Sequence, residues 1–473
     1  MRLERRALFT LAVLAALAPV AIAAFGSRGL AVYVAAWMLA LPLLLPEMRG
    51  FMRDERVGVI FVFLTACSAD YVDAAFGLEQ RVTVMLVTAS LVYLVMRRTV
   101  AWELLRTAPL VVLALFFAQQ VLSAALLNPD DLWLVVSGRA SVLAAALVGA
   151  VLVRRDASGR ALPALVLLGA IVSVPIMVLE IVWPDLVLFP TQEMPREMRA
   201  GGLFAQPNNV GTALTFAAAF LLALYDRGEI RRRAVAIFAA LIAVGVIACA
   251  SRGALVIVVL LGGASAALAT WRRVGRVPLA SGLIIVGLLA VTLPPIGRGL
   301  GQLSTRADDV GPLPTARLGE VALLLSGDTE DLADDDSSRG KLAAEAWRLI
   351  VERPLFGRGT GNFAVEPGPH GRRSHVQFLD VLGESGAVGG ALYLLLLLGL
   401  ARAVARVPVA QRFGAALAVG VWFLTGLDKH NTLEYRFMVL PLAYAAGLTP
   451  TARRAIALSP GGDGARGARP APR

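Results

Sequence analysis

The sequence predicts an all-α polytopic membrane protein, with about 14 transmembrane helices and a large extracytoplasmic loop containing short amphipathic helices. Three observations predict it. Hydrophobic residues make up 57% of the 473-residue chain and the mean hydropathy is +0.70, above the range of soluble domains. Apolar runs of spanning length recur along most of the chain. The arginines fall in alternate gaps between those runs, as membrane topology requires.

A spanning helix needs roughly 20 apolar residues. Such runs begin near positions 7, 29, 57, 82, 107, 134, 161, 203, 234, 254, 277, 386, 413 and 437. The opening stretch MRLERRALFTLAVLAALAPVAIAA is patterned like a signal peptide, but another apolar run follows at once, so a retained first membrane helix is expected. With the N-terminus inside, the cytoplasmic segments carry Arg2, Arg5 and Arg6; Arg49, Arg53 and Arg56; Arg97 and Arg98; Arg154, Arg155 and Arg160; Arg227, Arg231, Arg232 and Arg233; Arg272, Arg273 and Arg276; and Arg402, Arg406 and Arg412. The short opposite loops carry only Arg28, Arg81 and, in SRG, Arg252, with none in NPDDLW. Both termini are therefore expected in the cytoplasm.

This reading divides the chain into membrane helices over 1–296, a large extracytoplasmic loop over 297–385, further membrane helices over 386–450 and a low-complexity cytoplasmic tail over 451–473, expected to be disordered. The formal net charge of +11 is almost all arginine, Lys341 and Lys429 being the only lysines. Topology accounts for that charge, so the lipid bilayer and not nucleic acid is the expected partner. Cys67 and Cys249 lie in apolar runs and offer neither a disulfide framework nor metal spacing.

The large loop begins in Gly- and Pro-rich sequence and then turns acidic. Asp334, Asp335 and Asp336 are adjacent, whereas oxygen-ligand metal sites space their carboxylates, so they read as a solvated turn and helix entry. A helix is expected from Ser338, with serine as N-cap, to Pro354. Arg339, Leu342, Ala346, Leu349 and Ile350 share one face, with Trp347 beside it. Arg339 either snorkels or holds an anion there. Gly357, Gly359 and Gly361 in GRGTGNF have the wrong spacing and context for a dinucleotide loop and predict a tight turn.

A second helix pattern starts at Ser374, its expected N-cap. His375, Phe378, Leu379 and Leu382 fall on one face, placing His375 in the first turn and buried. The helix dipole and neighbouring Arg372 and Arg373 both disfavour an imidazolium, so His375 is expected to stay neutral near pH 7 and able to accept a proton. A hydrogen-bonded structural histidine is the alternative. His370, in a Gly/Pro loop, and His430, in DKHNTLEYRF at a helix end, carry weaker signals. Arg139, inside LVVSGRASVLAAA, is an intramembrane charge that needs a partner, for which Glu180 and Asp73 are the candidates; an ion pair and substrate binding both remain open. Asn208 either caps backbone or meets substrate, and Glu384 reads as fixing a helix end.

Four pieces then stand in order: FAQPNNVGTAL (204–214), ASRGALV (250–256), SSRGKLAAEAWRLIVERPLFGRGTGNF (337–363) and SHVQFLDVLGESGAVGG (374–390). The succession resembles the O-antigen ligase and O-antigen polymerase superfamily of bacterial integral-membrane glycan transferases. It covers roughly 200–390 and departs from the family at Val376, where asparagine more often follows the histidine. The resemblance implies an inner-membrane enzyme with a periplasmic active site. It implies transfer of a glycan from undecaprenyl diphosphate to an acceptor hydroxyl, with inversion and with neither metal nor cofactor. It implies that His375 activates the acceptor and that Arg252 and Arg339 hold the diphosphate, with Asn208, Arg139 and Glu384 as possible substrate-binding or structural residues. A ligase acting on a saccharide or lipid A core acceptor in lipopolysaccharide biosynthesis is the first expectation. Repeat-unit polymerisation and protein O-glycosylation share the machinery. A transporter or flippase, the reading from another class, would be expected to show internal repeats and no large polar extracytoplasmic insertion.

Overall fold

The computed structural model describes residues 27–45, 48–68, 81–182, 200–204, 206–249, 251, 253–263, 333–363, 374, 376–429 and 432–450, together with Thr10, Val13, Leu14 and Ala16. The described residues are helical with no strand. In chain order the α-helices are α1 (Ser27–Leu44), α2 (Arg49–Asp54), α3 (Arg56–Ala66), α4 (Arg81–Met96), α5 (Arg98–Leu105), α6 (Ala108–Leu127), α7 (Leu132–Arg155), α8 (Ala161–Val182), α9 (Pro207–Asp226), α10 (Arg232–Cys249), α11 (Gly253–Gly263), α12 (Ala333–Glu352), α13 (Gln377–Arg406), α14 (Val409–Asp428) and α15 (Leu440–Leu448).

Among the described residues, 7 helices are long and apolar enough to cross a membrane, or up to 8 when a bent pair counts as one span. The seven are α6 to α10, α13 and α14, near the starts expected at 107, 134, 161, 203, 234, 386 and 413. The run near 82 is the bent pair: α5 turns 96° away from α4 beside Arg97. The runs near 57, 254 and 437 form the shorter helices Arg56–Ala66, Gly253–Gly263 and Arg436–Leu448. At 1.5 Å per residue, the 11 residues of α3 reach about half of a hydrocarbon core. The run near 29 holds the short apolar stretch Val32–Pro42 within α1. The runs near 7 and 277 lie largely or wholly outside the described residues.

Burial separates the centre of the bundle from its margin. In the spanning windows, 83% of α9 and 72% of α8 are buried, against 28% of α10. The central helices approach closely because small residues line their contacts. A Cβ on Gly169 would meet Ala66 Cβ at 2.6 Å, one on Gly414 would meet Ala223 Cβ at 2.6 Å, and one on Gly447 would meet Val153 Cβ at 2.6 Å. Lipid supplies little hydrophobic drive between spans, so such close packing carries the association.

The helices alternate in direction, and their ends sort into two poles. At one pole Glu55 accepts hydrogen bonds from Tyr93 Oη (2.7 Å), Arg97 Nε (3.1 Å) and Arg155 Nε (2.9 Å). Burial pushes the Glu55 carboxyl up, but the Tyr93, Arg155 and Arg97 bonds outweigh it and hold the group below the usual range. At the same pole Arg227 donates to Ser158 O and to Gly159 O (3.3 Å), and Arg154 donates to Thr449 O. The other pole joins the α6–α7 turn, the start of α9, the chain after α12, the start of α13 and the residues after α14. Cys67 and Cys249 are buried, as the sequence leads one to expect, and Cys249 Sγ donates to Val246 O at 3.3 Å.

Candidate functional site

The second pole is built around α12 and a broken α13. Leu342, Ala346, Leu349 and Ile350 of α12 are buried with Phe363, and Leu379 and Leu382 of α13 pack against them. This is the apolar face that the sequence pattern marks out. Trp347, expected beside that face, is instead 55% exposed. On the outer side Arg348 pairs with Glu345 and Glu352, and its guanidinium holds the Glu345 carboxyl below the usual range. The helix begins at Ala333, not after an N-cap at Ser338, so the three aspartates sit in its first turns.

α13 is not one continuous helix. Gly386 has φ +61 and ψ −159, a backbone region that is almost exclusively glycine's, and it separates an outer half from the membrane-spanning half. The expected start of a span near 386 coincides with this break. The groups freed by the break are paired with the glycine turn after α12. Arg358 N donates to Gly383 O (2.8 Å) and Gly359 N to Glu384 O (3.0 Å). In return Ala387 N donates to Pro354 O (2.7 Å) and Val388 N to Leu355 O (3.4 Å). The contact has no room for side chains. A Cβ on Gly357 would lie 2.5 Å from Glu384 C, and one on Gly386 2.3 Å from Leu355 C and O. The tight turn expected at GRGTGNF is thus a clasp on α13.

Glu384 is buried, and its Oε1 accepts Gly361 N–H at 3.2 Å, which ties the glycine turn to α13. The clasp is anchored to the α6–α7 turn as well: Asn362 Nδ2 donates to Leu127 O (3.0 Å) and Asn128 Nδ2 to Thr360 O (3.4 Å).

The helical part of α13 starts at Gln377, with Val376 in the N-cap position, so the expected N-cap at Ser374 and first turn at His375 fall ahead of the helix. The buried Ser374 hydroxyl donates to Asp380 Oδ1, and its backbone N–H approaches the same oxygen at 3.3 Å. Ser374 thereby ties the entry segment to the helix, and its hydroxyl also accepts the Val376 N–H at 3.2 Å. His375 itself lies outside the described residues, as do His370, His430 and Arg252. The backbone of Arg339 is in α12, and its side chain also lies outside the described residues.

The neighbours of these residues are described and converge. Ser251, just before Arg252, packs against Gly211 of α9, where a Cβ would lie 2.8 Å from Ser251 Cβ. Asn208, in the same end of α9, is exposed, and its carbonyl accepts Lys429 Nζ and Thr212 Oγ1 (3.0 Å). After α14 the chain continues to Thr432, whose N–H and hydroxyl both donate to Gln377 Oε1, at 2.8 and 3.0 Å. Gln377 lies two residues after His375. The described contacts therefore join Ser251 and Lys429 to the start of α9, and Thr432 to the start of α13.

Arg139 pairs with Glu434 at 3.5 Å and lies over the Phe117 ring at 5.9 Å. This corrects the expected partner. Glu180 instead accepts Gly201 and Gly202 N–H at 3.0 and 2.9 Å, which satisfies its carboxylate locally, and Asp73 lies outside the described residues. Arg139 Nε is buried without a hydrogen-bond partner among the described residues. Sequence reasoning missed Lys429, Thr432, Glu434, Gln377 and Asp380. The signal for the first three was DKHNTLEYRF, a polar interruption holding one of the two lysines, which reads too easily as a mere helix end.

The family described as O-antigen ligase matches residues 237–394. The chain carries an O-antigen ligase domain. No curated protein matches the chain. The domain takes in α10 from Ile237, then α11, α12, the clasp and α13 as far as Leu394. It contains the SRG, Arg/Trp and His pieces of the resemblance; the FAQPNNVGTAL piece lies before it. Arg139, Asn208, Lys429, Thr432 and Glu434 also lie outside the O-antigen ligase domain and complete its pole of the bundle.

Proposed function

We propose that the chain is an O-antigen ligase-like glycosyltransferase of the bacterial inner membrane. It moves a glycan from undecaprenyl diphosphate to a hydroxyl of a saccharide or lipid A core acceptor. One observation carries this reading. The described polar contacts of the O-antigen ligase domain, in the clasp and at the start of α13, gather at the pole opposite the arginine-rich one. The positive-inside rule assigns the arginine-rich pole to the cytoplasm, with both termini, and the other to the periplasm. The loop over 297–385 is then the catalytic loop, in a bundle of about 14 spans.

In the proposed reaction His375 accepts the proton of the acceptor hydroxyl. That oxygen bonds to the anomeric carbon from the face opposite the diphosphate. The carbon–oxygen bond to the carrier breaks, and undecaprenyl diphosphate leaves with the electron pair. Arg252 and Arg339 bind the diphosphate and stabilise the charge it gains, which removes the need for a metal. Arg139 and Asn208 border the same pole, while Glu384 acts through the clasp. The test is transfer in vitro from a lipid diphosphate-linked oligosaccharide to candidate acceptors, with EDTA present. His375→Ala should abolish transfer and retain carrier binding, whereas Arg252→Ala and Arg339→Ala should lose both. Normal turnover by the histidine variant, or loss of activity with EDTA, would refute the scheme. Elongation of the donor glycan, or glycosylation of protein, in place of core modification would select the polymerase or protein O-oligosaccharyltransferase version.

A further inference from the structure

The arginine-rich pole contains a groove of about 680 Å³ between α5, the start of α6, the end of α13 and the residues after α15. It has no part in the transfer scheme and lies at the opposite end of α13. Its walls include Trp102, Glu103, Arg106, Pro109, Arg402 and Arg406. Three guanidiniums face one carboxylate, so the groove is cationic. Arg402 and Arg406 are exposed and form no ion pair among the described residues; Arg106 stacks on Trp102 at 5.4 Å.

We propose that this groove binds the phosphate headgroup of an anionic phospholipid. Three observations favour a lipid over a soluble anion. The 96° bend sets α5 across the direction of α4, which places the groove at the level where spans end. Trp102 is 59% exposed there, in the position of an interfacial tryptophan. The lipid-facing side of α13 leading away from the groove presents Leu394, Leu395 and Leu398, exposed and suited to an acyl chain. Basic pockets between membrane helices are a recurring way to hold acidic headgroups. The chain's own tail is a poor rival: residues 451–473 carry Arg453, Arg454, Arg466, Arg469 and Arg473 against Asp463 alone, the same sign as the groove.

The test titrates phosphatidylglycerol into the delipidated full-length protein in detergent and counts bound lipid by native mass spectrometry. Each arginine near a headgroup contributes about fivefold in affinity, so R402Q/R406Q should weaken binding roughly thirtyfold. R402K/R406K should restore most of it, which separates charge loss from misfolding. R232Q/R233Q removes equal charge at the same pole and should leave binding unchanged. Phosphatidylcholine should bind poorly, and millimolar inorganic phosphate should not displace phosphatidylglycerol. Equal weakening by the two glutamine pairs would mean diffuse attraction. That result, equal affinity for phosphatidylcholine, or displacement by free phosphate would overturn the proposal.

Discussion

Replacing Gly386 by alanine should open the clasp between α12 and α13. The new Cβ would sit 2.3 Å from Leu355 C and O and 2.5 Å from Phe356 N. These are backbone atoms, so no rotamer change relieves the overlap. Alanine also has to hold φ +61 and ψ −159, at a cost of about 1–3 kcal/mol. If the two segments separate, four backbone hydrogen bonds break: Arg358–Gly383, Gly359–Glu384, Ala387–Pro354 and Val388–Leu355. At about 1 kcal/mol each, the clasp is worth about 4 kcal/mol. The expected destabilisation is therefore about 1–4 kcal/mol, with strain setting the lower end and full separation the upper. Gly420→Ala is the comparison, since nothing lies within 4 Å of a Cβ there; it should shift stability by no more than about 1 kcal/mol.

The assay is hydrogen exchange with thermal unfolding, both on the full chain in detergent. In G386A the amides of Arg358, Gly359, Ala387 and Val388 should exchange faster together, with the melting temperature lowered. Unchanged protection of Ala387 and Val388 in a G386A protein that melts like the parent would refute the clasp as a structural unit.

Gln377→Leu should cost about 1–3 kcal/mol, because the buried Thr432 N–H and hydroxyl lose their shared acceptor. Gln377→Glu keeps an acceptor oxygen and should cost less, as thermal unfolding of both variants would reveal. Glu55 should make the protein acid-sensitive. Its folded pKa is depressed, so its contribution is fully present above the unfolded value of about 4.3 and is lost as pH falls through the folded value. Glu55→Gln should therefore flatten the acid limb of a melting-temperature profile, and a profile with the parent's slope would count against the Tyr93–Arg97–Arg155 cluster.

The membrane helices from α6 to α10 were legible because each is a long apolar run bounded by arginine or turn residues. Periodicity likewise gave the buried face of α12, since Leu342, Ala346, Leu349 and Ile350 recur at helical spacing. The break in α13 was half visible: the hydropathy begins near 386, but no local pattern tells that Gly386 joins two halves by docking on Leu355. That information lies in a contact between segments about thirty positions apart. The partner of Arg139 was misjudged for the same reason. Glu180 has a similar depth in sequence terms, yet its carboxylate is taken by the Gly201 and Gly202 amides, which leaves Glu434 to meet the arginine. Boundaries at Ser338 and Ser374 went wrong because a serine before an apolar run resembles an N-cap whether or not its hydroxyl is engaged elsewhere. At Ser374 it is engaged with Asp380.

The O-antigen ligase domain depends on the rest of the chain in a way its boundaries conceal. Its clasp is held by Leu127 O and Asn128, before the domain, and the start of α13 is held through Gln377 by Thr432, after it. Near a membrane, an unpaired buried polar group costs more than the helix can recover by shifting. Leu127, Asn128 and Thr432 therefore fix where the outer half of α13 points, and with it the entry residues 374 and 376 that flank His375. A change in those outlying residues should move the site without touching any residue the family defines. The frame that orients the domain is built from α6, α7, α9 and α14.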